Sequence, residues 1–98
     1  MAYFRVMFHG HGINLQIEGE SRPIVGFYCT RQIKASTVED AVLKAKEMVL
    51  QEWSSPEYTS INKGNLPTLE ADSVEEVGFF SSLTFKNSGH TFYPEETT

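Results

Sequence analysis

His9 and His11 are the first residues of this chain whose types and spacing could do chemistry. A His-x-His pair on a strand points both imidazoles to one face, a spacing that metal sites use. A site needs a further ligand, and His90 and Cys29 are the only other soft candidates. Nothing in the sequence brings either near. His9 shares its parity with Arg5, and His11 sits between Gly10 and Gly12, where a turn is expected. Surface and turn histidines are therefore the plain reading, with His9 and His11 weak metal candidates and no cofactor expected.

Cys29 beside a histidine would suggest a thiol nucleophile. It falls mid-strand on the apolar parity next to Phe27, where a free cysteine behaves as a small buried hydrophobe. Arg31 is the sharper case. It breaks an apolar row, and a cation on the core side of a strand must be paired or reach water. Glu70 or Glu76 would serve as a structural partner; recognition of a carboxylate on another molecule is the functional alternative. The start of the downstream helix carries Glu39 and Asp40, which occupy its positive end and repel an anion. Gly10-x-Gly12 lacks the third glycine of a dinucleotide fingerprint. No catalytic residue is assigned.

The elements that must position these residues follow from periodicity. Phe4, Val6 and Phe8 alternate with Tyr3, Arg5, Met7 and His9; further on Ile13, Leu15 and Ile17 are apolar on the other parity. That flip across Gly10-His11-Gly12 predicts a hairpin with strands near 2–9 and 13–18, or one strand with a glycine bulge. A third strand is expected near 24–35. Ser36 with Glu39 predicts a capping box. Val38, Ala41, Val42, Ala45, Met48, Val49 and Trp53 make an apolar helical stripe, flanked by Leu43 and Leu50. Pro56 should end that helix near Trp53 and open a short second turn. Residues 67–71 and 79–85 read as strands, 72–76 as acidic surface, and His90 to Tyr93 as a short last strand. Tyr28, Phe80, Phe92 and Tyr93 fall where exposure would make an adhesive aromatic patch.

The order is thus β-β-β-α-β-β. It implies an α+β fold, an antiparallel sheet of four to six strands with one main helix on one face. At 98 residues the chain suits a single domain over 1–98, with a frayed tail over 94–98. Its formal net charge of −5 argues against general nucleic-acid binding and leaves room for a basic protein partner. No apolar run approaches the ~20 residues of a membrane span. MAYFRVMFHG has neither a basic leader nor an unbroken apolar core, and one cysteine allows no internal disulfide, so a reducing cytoplasm is expected.

The strand Gly26, Phe27, Tyr28, Thr30, Arg31, Ile33, Ala35, with Glu39, Ala41 and Ala45 in the helix, resembles a family of small bacterial proteins of unknown function. The closing Thr91-Phe92-Tyr93-Pro94-Glu95-Glu96 is similar to that family's ending. The resemblance implies a fold and no activity. A second resemblance is to HicB-type antitoxin domains, which run strands into a helix and whose acidic members neutralise a small basic toxin. This chain lacks their Pro-x-x-x-Gly-Cys approach, their glycine-rich helix entry and any appended DNA-binding segment.

Three functional expectations follow. The first is a non-enzymatic cytoplasmic module acting through protein contacts, with an unknown partner or as a homodimer through a sheet edge or the aromatic patch. Its candidate interaction residues are Arg31, Tyr28, Phe92 and Tyr93. The second is a metal- or small-molecule-binding protein or enzyme using His9, His11 and Arg31. The third is the HicB-like antitoxin domain.

Overall fold

The computed structural model describes residues 1–19 and 21–96. Two long strands form its spine: β1 (Ala2–Leu15) and β2 (Ile24–Ala35), paired antiparallel from Ala2 opposite Ala35 to His11 opposite Gly26. The 14 residues of β1 at about 3.3 Å each explain the 44 Å long axis of the molecule. The helix α1 (Val38–Trp53) follows, then a single turn α2 (Pro56–Thr59), β3 (Thr68–Val77), a second single turn α3 (Phe79–Ser82) and β4 (Thr91–Pro94). The four strands lie in the order β3-β1-β2-β4, every neighbour antiparallel. The fold is α+β, with α1 packed on one face of the sheet.

Of the two readings of Gly10-His11-Gly12, the structure has the single strand and not the hairpin: β1 is continuous, with an irregularity between His11 and Leu15. Gly12, at φ 87°, re-aims the chain, so Ile13 and Leu15 enter the core that Phe4, Val6 and Phe8 entered on the other parity. Gly10 serves a different purpose. It sits opposite Phe27, whose ring lies where a Cβ would be, so the glycine is a seat for an aromatic ring rather than a turn.

The expected β-β-β-α-β-β order also fails at the C-terminal side. Residues 79–85 form α3 and a turn instead of a strand. Along β2 beyond β4, the Asn87 side chain takes the place of a strand. Its Oδ1 accepts from the Gln32 N–H at 2.6 Å and its Nδ2 donates to the Gln32 carbonyl at 2.8 Å. The acidic stretch 72–76, expected at the surface, has Asp72, Ser73, Glu75 and Glu76 exposed there and lies within β3.

The helix begins one residue later than expected. Thr37 is the cap, and its hydroxyl accepts from the Asp40 N–H at 3.1 Å, so the Ser36–Glu39 box does not form. The pairing of Ala35 with Ala2 keeps the chain extended to that point, and it takes both following residues to turn onto the helix axis. Asp40 then pairs with Lys44 at 3.1 Å. Ala41, Ala45, Val49 and Trp53 are buried against β1 and β2, with Val42 and Leu50 at the margin; Val38 and Leu43 stay exposed. Pro94, placed in the expected tail, pairs with Ile24, and the Glu95 N–H donates to the Pro23 carbonyl at 2.9 Å. The rest of that tail expectation, at Thr97 and Thr98, lies outside the described residues.

Candidate functional site

The sheet sorts the suspect residues onto two faces. On the helix-covered face lie Phe27, Cys29 and Arg31, alternating along β2. On the opposite, open face lie His9 and His11 of β1 and Tyr28 of β2. Arg31 and the two histidines therefore do not converge.

Arg31 is fully buried. Its Nε and Nη2 donate to the two oxygens of Glu52 at 2.9 and 2.8 Å, and its Nη1 donates to the carbonyls of Thr30 and Gly89 at 2.9 and 3.1 Å. The partner is thus Glu52 on α1, correcting Glu70 and Glu76. Glu70 sits opposite His9 on the other face, and Glu76 sits opposite Phe4 with β1 between it and Arg31. The forked pair ties the last turn of α1 to the centre of β2 and to the Gly89 turn. Hydrogen bonds to Glu52 raise the guanidinium pKa further, so it stays charged throughout.

Cys29 is buried beside this pair, and burial pushes its thiol up to about 11. The thiolate needed for nucleophilic attack is therefore scarce at neutral pH. The folded protein is expected to resist a thiol-specific reagent at neutral pH and to react with one equivalent once unfolded in urea. Rapid labelling without denaturant would contradict the packing described.

His90 lies on the helix side, far from the other histidines in role. It accepts from the Trp53 Nε1–H at 3.2 Å, meets Phe27 and Trp53 edge-on, and stacks on Phe92 at 5.3 Å. Tyr58 stacks on Trp53 at 4.3 Å and closes this aromatic box. Phe92 therefore belongs to the box, 37 % exposed at its margin, and not to a common patch with Tyr93.

The open face carries a polar–aromatic cluster. His9 stacks on Tyr28 with ring centroids 4.8 Å apart and shares a hydrogen bond of 2.6 Å between its Nε2 and the Tyr93 hydroxyl. Its Nδ1 faces Glu70 at 3.8 Å, and His11 Nε2 lies 3.6 Å from the other oxygen of the same carboxylate. His11 is part of β1, between Gly26 and Thr68, and not in a turn. Gly26 makes this possible. The Tyr93 ring rests on it where a Cβ would stand, the mirror of Gly10 beneath Phe27 on the other face. His9, Tyr28 and Tyr93 line an open depression with Arg22 and Pro94, and a neighbouring one lined by Met7, Thr30, Phe85 and Lys86 shares Tyr28. The Tyr93 hydroxyl pKa is raised, first by partial burial and then by Tyr28 and Glu70. It thus remains a protonated phenol.

Among the described residues no group of three or more His, Cys, Asp or Glu is arranged to hold a metal ion. Among them, too, no helix is long and apolar enough to cross a membrane. No family model, curated protein or solved structure matches the chain.

Sequence reasoning missed Glu52 and Arg22, and it named Glu70 only as a partner for Arg31, not for His9 and His11. A signal for Glu52 was present: it stands three residues after Val49 and seven after Ala45, on the border of the apolar stripe, the mirror of an arginine on an apolar parity. Glu70 had none, because its meeting with His9 depends on strand pairing across 61 positions of chain.

Proposed function

We propose that this protein is a small cytoplasmic, non-enzymatic module that acts through protein contacts. The observation that carries this reading is the separation of Arg31 from His9 and His11 on opposite faces of the sheet. The arginine and thiol are committed to the core. The exposed features are of the kind that contacts use: on the sheet face away from α1, whose Arg5–Gln32 end is covered by residues 81–85, stand Tyr28 of β2 and Tyr93 of the edge strand β4, and α3 carries the exposed Phe79–Phe80 pair. The contact residues are Tyr28 and Tyr93 with His9 between them, and self-association would use this same patch.

The test is capture of binding proteins from the native host by wild-type protein and by Tyr28→Ala and Tyr93→Ala variants, with light scattering of each over a wide concentration range. A partner or dimer held by the wild type and lost by both variants, at little change in Tm, is expected. Wild-type protein that stays monomeric and captures nothing beyond what the variants capture overturns the reading.

One observation favours a second reading, a small-molecule site on the open face. Glu70, His9 and Tyr93 form a carboxylate–imidazole–phenol line beside Arg22. A small-molecule screen by thermal shift, with stabilisation abolished in His9→Ala, would move the assignment to that class.

A further inference from the structure

β3 is an edge strand, ten residues long, and nothing among the described residues pairs with its outer side. Its backbone N–H and C=O groups there are free to receive another strand. The pairing with β1 places its side chains. Glu70 and Glu75, opposite His9 and Arg5, face the open side of the sheet; Leu69, Ala71 and Val74, opposite Gly10, Phe8 and Val6, face the helix side, with Glu76, opposite Phe4, at the far end of that side. Asp72 is the extra residue where the register shifts between Met7 and Phe8, so this bulge is what brings Glu70 and Glu75 to one face. From Gly64 to Phe85 the chain has four acidic residues and no basic one. Asp72, Glu75 and Glu76 make no ion pair among the described residues.

We propose that this edge receives an extended segment of a partner protein in which basic and apolar residues alternate, added as a fifth strand beside β3. The alternation follows from the pleat. Side chains of the added strand on the open face lie next to Glu70 and Glu75, and those on the helix face lie next to Leu69, Ala71 and Val74. A second copy of this chain is the wrong occupant. Antiparallel pairing over the full length of β3 sets Glu70 of one copy opposite Glu75 of the other, and like charges directly opposite are destabilising. The carboxylates thus guard the edge against self-pairing and leave it open to a cation-bearing strand. The inference rests on the protein-contact reading but assigns the contact to a different surface from Tyr28 and Tyr93.

The test is a titration of isotope-labelled protein with a short peptide of alternating lysine and valine, followed by NMR. Two control peptides are used: one with glutamate in place of lysine, and one with proline in place of valine, equal in charge but unable to pair as a strand. Expected are shift changes concentrated at residues 68–77, affinity that falls as salt rises from about 0.05 to about 0.5 M, and weak or no binding of both controls. Glu75→Lys should weaken the lysine–valine peptide about fivefold, the size of a cross-strand charge change. Equal binding of the proline peptide would reduce the effect to charge alone and overturn the strand. Shifts confined to Tyr28, His9 and Tyr93 would overturn the edge assignment while supporting the contact reading. Absence of any binding overturns the edge assignment alone, since capture through the tyrosine patch is read separately.

Discussion

Replacing Glu52 with alanine is expected to cost about 3–5 kcal/mol of folding stability, the loss found when one partner of a buried ion pair is removed. The reason lies in what remains. Arg31 is wholly enclosed and cannot shed its proton, so the variant keeps a buried guanidinium with two carbonyls and no counter-charge. Arg31→Ala leaves the opposite remnant. The Glu52 side chain is 31 % exposed and can draw on water, but the removed arginine leaves a void between β2 and α1. Both single variants should lose on the order of 20 °C in Tm, with Glu52→Ala the worse. The double variant should cost less than the sum of the two, because the second change removes a group the first had stranded. Urea unfolding of the three variants measures this directly. A loss below about 1 kcal/mol for Arg31→Ala would mean that the arginine is not holding the fold and is free for another role.

Trp53→Ala should be of similar size, about 3–5 kcal/mol, since it empties the middle of the aromatic box. Trp53 is fully buried, stacks on Phe27 at 5.0 Å and on Tyr58, and bonds His90. Trp53→Phe keeps a ring but strands the His90 acceptor, which should cost about 1–3 kcal/mol. The box also carries a pH dependence. Burial, then the charge of Arg31, lowers the His90 pKa from its usual 6.5, while Glu52 partly opposes them. The unfolded chain therefore takes up a proton at a higher pH than the folded one. Stability should hold above about pH 6.5 and fall as the pH drops below it toward the folded value. Tyr58 completes the set of titrating groups facing the ring, and it remains neutral in that range because burial raises its own pKa. Urea unfolding at a series of pH values checks the direction; His90→Phe should lose this part of the acid sensitivity, and an equal slope in that variant would locate it elsewhere.

Much of the frame was legible residue by residue. The β2 bounds, the end of α1 before Pro56 and the burial of Cys29 follow from local alternation and turn chemistry, and the structure agrees with each. Misreadings came where two local signals were equivalent until a neighbour chose between them. Gly10 and Gly12 look like a turn in sequence; one is a kink, and the other is the floor beneath Phe27. Ser36 and Thr37 are both good caps. Phe79, Leu83 and Phe85 alternate like a strand, yet Asn87 already occupies the edge they would have joined.

By itself the sequence determined that a strand runs into an amphipathic helix, that an arginine stands on the core side of that strand, and that the chain is acidic. Those properties belong to periods of two and 3.6 residues and to composition, so no distant contact is needed to read them. Only the tertiary structure decided what the arginine holds, which histidine meets which tyrosine, and which strand is left at the edge. Each depends on register between segments far apart in the chain, where a slip of one residue exchanges the two faces of the sheet.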